Sequence, residues 1–155
     1  MKKIESFQVN HLNLFAGLYV SRKDVCNGVT VTTFDLRFVA PNREKVMNIA
    51  GMHTIEHIGA TFLRSSAQAD KVVYFGPMGC RTGFYLVCFG DLQSQDVYDL
   101  VVDMCDCIIN FHGDIPGATP QECGNYSDQN LSEAQAYATA YKHQLQTHKR
   151  FAYNA

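Results

Sequence analysis

The chain is organised around one short stretch, His53-Thr54-Ile55-Glu56-His57. From about Ala50 to Ser65 the chain carries little charge, and apolar side chains recur at helical spacing, at positions 55, 58, 62 and 63. This pattern predicts a helix that is buried against the rest of the chain. On such a helix His53 and His57 lie one turn apart on one face, with Glu56 beside them.

The two histidines have the spacing of a metal site, because side chains one helical turn apart are only about 5–6 Å apart at Cβ. Burying them with a glutamate and no partners would cost on the order of a few kcal/mol for each unsatisfied group. We therefore predict that His53 and His57 bind a metal ion and that Glu56 carries protons near its open position. The alternative is a helix turn with two solvated histidines.

Composition and charge limit the class of protein. The chain has 155 residues, 46% hydrophobic and 18% charged, as expected for one globular domain over residues 1–155. A net charge of −2 gives no electrostatic case for nucleic acid or an anionic membrane as a partner. The first six residues lack the apolar segment of a signal peptide, and no apolar run approaches the length of about 20 residues that spans a bilayer. We expect a soluble cytoplasmic protein with reduced cysteines.

Strands and helices mix without regular alternation, which predicts an α+β fold. Strands are expected over 29–38, 72–76 and 83–90, with a turn at 27–28, a helix capped by Asp91, a long loop over 113–130 and a last helix that begins at Asn130. In the first of these strands alternate apolar residues face the core, so Asp35 and Arg37 face solvent, a partner or a site.

A catalytic metal usually has three protein ligands and one open position, so a third ligand is needed. The candidates are Cys123, His112, Cys80 and Asp114. A thiolate would favour a softer ion such as Zn²⁺ or Fe²⁺. Cys80 lies in a glycine-flanked turn between two strands, where a thiol beside a metal loses its proton easily, so it is also a candidate base or nucleophile. The other interior cysteines, at positions 88, 105 and 107, are expected to be small buried side chains.

Three stretches together resemble the S-ribosylhomocysteine lyase (LuxS) family. They are His53-Thr54-Ile55-Glu56-His57, Gly76-Pro77-Met78-Gly79-Cys80-Arg81-Thr82-Gly83-Phe84-Tyr85-Leu86 and Gln121-Glu122-Cys123-Gly124. Two further pieces, Glu5-Ser6-Phe7 with His11 and Phe34-Asp35-Leu36-Arg37-Phe38, extend the resemblance to nearly the whole chain.

The resemblance implies a mostly antiparallel sheet packed against helices on one side and a homodimer with its sites at the interface. It implies Fe²⁺, replaceable by Zn²⁺ or Co²⁺. The implied residues are the metal ligands His53, His57 and Cys123, the general acids and bases Glu56 and Cys80, and the substrate contacts Ser6, His11 and Arg37. Arg37 suits the homocysteine carboxylate as a planar bidentate donor.

The implied reaction consumes S-ribosylhomocysteine. The metal acts as a Lewis acid on the sugar oxygens while the carbonyl moves from C1 to C2 and then to C3 through enediolates, and Glu56 and Cys80 move the protons. A base then removes the C4 proton and homocysteine leaves from C5. The other product is 4,5-dihydroxy-2,3-pentanedione, the autoinducer-2 precursor.

Some positions depart from the usual family pattern. Tyr74 stands where many relatives have an aspartate, Gly59 where a bulkier side chain is common, and Arg81 and Glu122 where many have glutamine. Two other interpretations stay open on the residues alone. The H-x-x-E-H pattern is also the inverzincin signature, and a peptidase of that kind would need a downstream glutamate ligand. A structural metal domain would need four protein ligands.

Overall fold

The computed structural model describes residue 4 and residues 8–153. Its elements are β1 (Gly17–Cys26), β2 (Val29–Arg37), α1 (Ile49–Ser65), β3 (Val72–Pro77), β4 (Gly83–Phe89), α2 (Ser94–Ile109) and α3 (Leu131–His148). The four strands form one antiparallel sheet in the order β1-β2-β4-β3. The predicted α+β class and the antiparallel sheet are confirmed. Among the described residues no helix is both long and apolar enough to cross a bilayer.

The strand β1 is an element that the sequence did not predict. It forms a hairpin with β2 through Asn27 and Gly28, which have φ angles of 50° and 80°, as the predicted turn requires. β1 is an edge strand whose second half is exposed, so its sequence lacks the apolar alternation of a half-buried strand. The register also shifts at Ser21, and such a bulge interrupts any alternation pattern.

The core lies between one face of the sheet and the three helices. Phe34 and Leu36 of β2 are fully buried there, as their alternation predicts, and Phe38 stacks on Tyr141 of α3 with ring centroids 4.0 Å apart. The helix α1 packs so closely on β3 that a Cβ at Gly59 would lie 2.8 Å from the Phe75 ring. This contact leaves little room for a larger side chain at position 59. The assignment of 1–155 to one domain stays a prediction.

The helix starts agree in part with prediction. Asn130 caps α3 as expected, because its Oδ1 accepts a hydrogen bond of 3.0 Å from the Glu133 backbone N–H. The predicted helix α2 is found with its apolar side chains buried, but the cap predicted at Asp91 was wrong. That helix begins at Ser94, and Asp96 within its first turn accepts from the Gln93 N–H at 2.7 Å. Asp91 pairs instead with Lys23 of β1.

Candidate active site

Three donor side chains meet where α1 faces the long loop between α2 and α3. The Nε2 atoms of His53 and His57 are 3.0 Å apart, and Cys123 Sγ lies 3.4 Å from Nε2 of His53. All three side chains are half-buried, and their ligand atoms lie within 4.8 Å of one another. The Asn125 backbone N–H points at the Cys123 sulfur, 3.5 Å away. This arrangement places the two histidines of the motif and one cysteine around a common point.

Backbone carbonyls of the loop orient the two imidazoles. Nδ1 of His53 lies 2.9 Å from the Asp128 carbonyl oxygen, and Nδ1 of His57 lies 2.7 Å from that of Pro116. Because a carbonyl only accepts, each Nδ1 is assigned the ring proton, which leaves both Nε2 lone pairs free. Gly117 lies under His57 with φ +68°, and a Cβ there would come within 3.3 Å of its ring. The loop therefore fixes both the tautomer and the position of the rings.

A buried threonine between the histidines joins the loop to α1. Thr54 is fully buried; its hydroxyl donates to Gln129 Oε1 at 2.7 Å and accepts from the Asn130 backbone N–H at 2.9 Å. The Gln129 side-chain amide also reaches to 3.2 Å from Nδ1 of His53. Sequence reasoning missed these residues. The available signal was a polar side chain at a position whose helical neighbours are buried and apolar.

The three donors fit a metal ion. Because both Nδ1 protons are donated to carbonyls, the Nε2 lone pairs of the two histidines and the Cys123 sulfur face one another with no proton between the rings. Electron pairs this close repel each other unless a cation lies between them. Imidazole nitrogen with thiolate suits zinc and ferrous iron. The predicted convergence of His53 and His57 is found, and of the four candidates for the third donor Cys123 is the one that joins them.

The donor set also bears on the alternatives. The third donor is a thiol and not the downstream glutamate that a peptidase would need. Within residue 4 and residues 8–153, this trio is the one group of three or more such side chains close enough to share an ion, and it contains no fourth donor. Three protein donors are the usual number at a catalytic zinc site, whereas a structural site usually has four.

Glu56 opens into a cavity of about 340 Å³ beside the trio. His53 lines the same cavity, and the opposite wall is formed by Pro77, Met78 and Gly79 of the turn after β3. Arg81, described above as a departure from the usual pattern, also lines this cavity. Glu56 therefore lines the same cavity as one of the metal-donor rings, where a proton carrier would be useful.

Cys80 lies on the other side of that turn, in a second cavity of about 340 Å³ that the same three turn residues also line. Its Sγ is exposed, 3.1 Å from Thr82 Oγ1 and 3.9 Å from Nη1 of Arg37. The turn is closed by hydrogen bonds between Met78 and Gly83 and between Met78 and Arg81, each 2.9 Å long. The thiol is presented to the cavity, as predicted, and beside a guanidinium.

Asp35 and Arg37 form a buried ion pair against the second cavity. Their side chains are 3% and 4% exposed, and Arg37 Nη2 lies 2.6 Å from Asp35 Oδ2. Burial raises the pKa of Asp35, and Arg37 and the hydroxyl of Tyr153 oppose that rise. Burial alone would lower the pKa of Arg37, but the Asp35 carboxylate outweighs it and the pKa of Arg37 is raised. The sequence left solvent, a partner or a site as the surroundings of Asp35 and Arg37. In the structure both residues line the cavity that contains Cys80.

The predicted substrate contacts are distributed as follows. His11 and Arg37 line the Cys80 cavity, and Ser6 lies outside the described residues. Tyr74 is half exposed and lines a neighbouring cavity on the outer face of the sheet. Sequence reasoning missed Tyr153, which completes the wall next to Asp35 and whose position near the chain end gave no signal.

Comparisons with known proteins agree with this geometry. The family model described as S-Ribosylhomocysteinase (LuxS) matches residues 4–151. A protein of Finegoldia magna named S-ribosylhomocysteine lyase is 57% identical over 141 residues, which cover 91% of this chain and 90% of that protein. Proteins of the same name from Clostridium acetobutylicum and Phocaeicola vulgatus are 57% and 46% identical, over 86% and 96% of this chain and 85% and 92% of theirs.

Proposed function

The chain belongs to the S-ribosylhomocysteinase (LuxS) family, and we propose that it is a carbon–sulfur lyase that splits S-ribosylhomocysteine into homocysteine and 4,5-dihydroxy-2,3-pentanedione. One observation carries the proposal. The convergence of His53, His57 and Cys123 and the thiol of Cys80 lie on either side of one turn, each beside a cavity that this turn lines.

The metal would be held by Nε2 of His53, Nε2 of His57 and Sγ of Cys123. We propose Fe²⁺, with Zn²⁺ or Co²⁺ as replacements, since the resemblance implies these ions and the donor set suits them. When bound, the ion supplies Lewis-acid polarisation of the sugar oxygens. The chain contributes orientation, because the Asp128 and Pro116 carbonyls keep both Nε2 lone pairs directed at one point.

Glu56 and Cys80 would move the protons. Shifting a carbonyl along a sugar requires a proton to leave one carbon and reach its neighbour, while hydroxyl and carbonyl oxygens exchange roles. Two acid–base groups that reach the sugar from different sides can do this without a co-reactant. Cys80 Sγ accepts and returns protons from the side of Arg37, and the Glu56 carboxylate does so from the side of the metal donors. Removal of the C4 proton then expels homocysteine from C5.

Arg37 would stabilise the Cys80 thiolate. Its Nη1 faces Sγ, and Nη1 and Nη2 are already bonded to Thr82 and Asp35. A bidentate grip on the homocysteine carboxylate would have to displace the Asp35 carboxylate from a buried ion pair, which costs several kcal/mol. The geometry therefore favours the thiolate over the substrate carboxylate as the partner of Arg37. Contacts of His11 and Ser6 with substrate stay proposals by resemblance.

We further propose a cytoplasmic homodimer with the sites at its interface. The sheet face opposite the helices carries half-buried and exposed apolar side chains, among them Tyr74, Tyr85, Val87 and Phe89. A second copy packed there would remove that surface from water. All six cysteines are free thiols, in keeping with a reducing compartment. Sedimentation equilibrium of the purified protein tests the dimer.

The deciding experiment is release of free thiol from S-ribosylhomocysteine. Anaerobic protein loaded with Fe²⁺ or Co²⁺ should release homocysteine together with an equal amount of the dione, and protein stripped by a chelator should not until the metal is restored. Loaded protein that leaves the substrate intact would refute the lyase. Cleavage of peptides by the same sample would favour the inverzincin alternative.

A further inference from the structure

The carboxyl-terminal segment reaches into the Cys80 cavity. After α3 the chain returns across the sheet, and Tyr153 stacks on Tyr19 of β1 with ring centroids 4.7 Å apart and planes inclined by 21°. This stacking directs the Tyr153 hydroxyl inward, where it lies 3.0 Å from Asp35 Oδ2. Tyr153 is thus fixed by an aromatic contact at one end and a charged hydrogen bond at the other.

The Asp35 oxygen that accepts from Tyr153 is the same one that pairs with Arg37. Within the described part of the chain, the other oxygen of Asp35 has no hydrogen-bond partner and is buried. The phenol is therefore one of only two donors to this carboxylate there. Because this buried carboxylate has so few hydrogen-bond donors, each of them contributes strongly to stabilising its charge. Burial also raises the pKa of Tyr153, and the adjacent Asp35 raises it further, so the phenol stays a proton donor.

Arg37 divides its charge between Asp35 and the thiol. Nη2 faces the carboxylate at 2.6 Å, while Nη1 donates to the Thr82 hydroxyl and also lies 3.9 Å from Cys80 Sγ. A second donor to Asp35 neutralises part of the carboxylate's charge. Arg37 can then interact more strongly with a thiolate at Cys80. Among the residues that the structure describes, the remaining titratable or charged groups around this sulfur are His11 before β1, Tyr85 of β4 and the neighbouring Arg81 in the turn.

We propose that Tyr153 is a positioning residue for Cys80, acting through Asp35 and Arg37. Its hydroxyl satisfies part of the Asp35 carboxylate and thereby keeps Arg37 directed at the sulfur. The terminal segment then adjusts how strongly Arg37 attracts the Cys80 sulfur. The use of that thiol in catalysis rests on the proposed function, whereas the coupling itself does not.

The test is the pH profile of Cys80 alkylation by iodoacetamide in metal-loaded protein without substrate. In Tyr153→Phe the midpoint should move up by about half a pH unit, which is about threefold slower alkylation below the midpoint. Cys26 is also exposed, so the Cys80 peptide is followed by mass spectrometry. Tyr98→Phe is the matched control, because Tyr98 contacts Phe151 of the same segment edge-on at 5.7 Å and has no role at Cys80.

A double-mutant cycle separates coupling through Asp35 from a general loosening of the segment. In an Asp35→Asn background, where the charge that Tyr153 serves is gone, Tyr153→Phe should no longer move the midpoint. An unshifted midpoint in the single variant, or an equal shift in both backgrounds, overturns the proposal. Since no substrate is present, a chain that lacked lyase activity would still give a clear answer.

Discussion

The two halves of the site are held by different kinds of bond. On the metal side, His53 and His57 are oriented by backbone carbonyls of a loop, which set the tautomer and add no net charge. On the thiol side, Cys80 faces a buried ion pair of charged side chains. The metal side therefore depends on loop geometry, and the thiol side depends on charge. Changes to one half should therefore leave the other half intact.

Removing the thiol gives the largest expected effect and tests that independence most directly. Cys80→Ala should lower turnover by about 10⁴-fold, at the upper end for loss of a general acid–base group. Metal content should stay at the wild-type level, because Cys80 lies outside the donor trio. Elemental analysis beside the thiol-release assay measures both. Loss of the metal in this variant would make Cys80 a ligand and end the division into two halves.

Removing the charge on the thiol side should give an intermediate effect. The double variant Asp35→Asn with Arg37→Gln deletes both charges of the pair, so no buried charge is left unpaired. The midpoint of Cys80 alkylation should rise by about one pH unit, or about tenfold in rate near neutral pH, since the guanidinium is the charge nearer the sulfur. Arg22→Gln, an exposed change on β1, is the control. A midpoint equal to the control would show that the ion pair does not act on Cys80.

Loosening the loop should affect the metal side alone. Thr54→Val keeps the shape of the side chain but removes the hydroxyl that bonds Gln129 and Asn130. Metal affinity, measured by competition with a chelating dye, should fall about fivefold, below the range of about 10–100-fold for groups that contact a ligand directly. Thr54→Ser retains the hydroxyl and should bind as the wild type does. An altered Cys80 alkylation profile in Thr54→Val would mean that the halves are coupled.

The last prediction concerns a buried thiol of the core, outside both halves of the site. Burial raises the pKa of Cys105 from 9.0 to about 12, so the folded state keeps this proton after the unfolded state has lost it. Its contribution to stability is therefore complete below pH 9 and declines by about 1.4 kcal/mol per pH unit from there to about pH 12. Urea unfolding of Cys105→Ala between pH 8 and 10.5 should show a shallower decline than wild type. Cys26→Ala, at an exposed thiol, should show the wild-type slope.

The features that were predicted from the sequence and those that were missed differ in how far apart the interacting residues lie along the chain. The helix α1, the cap at Asn130 and the pairing of His53 with His57 depend on neighbours within four residues, and all were found. The β1 strand was missed because half of it is exposed. Thr54 with Gln129 and Asp35 with Tyr153 were missed because each pair joins positions 75 or more residues apart, for which one sequence carries no local pattern.

The spacing of the metal donors has a consequence for synthesis of the chain. His53 and His57 exist as a pair once one helix has formed, but Cys123 follows His53 by 70 residues. On the ribosome, where the amino-terminal part emerges first, a nascent chain would offer two imidazoles to passing ions well before the sulfur arrives. Such a pair holds an ion only loosely. Discrimination among ions would thus be delayed until the thiol at position 123, in the last third of the polypeptide, has been added.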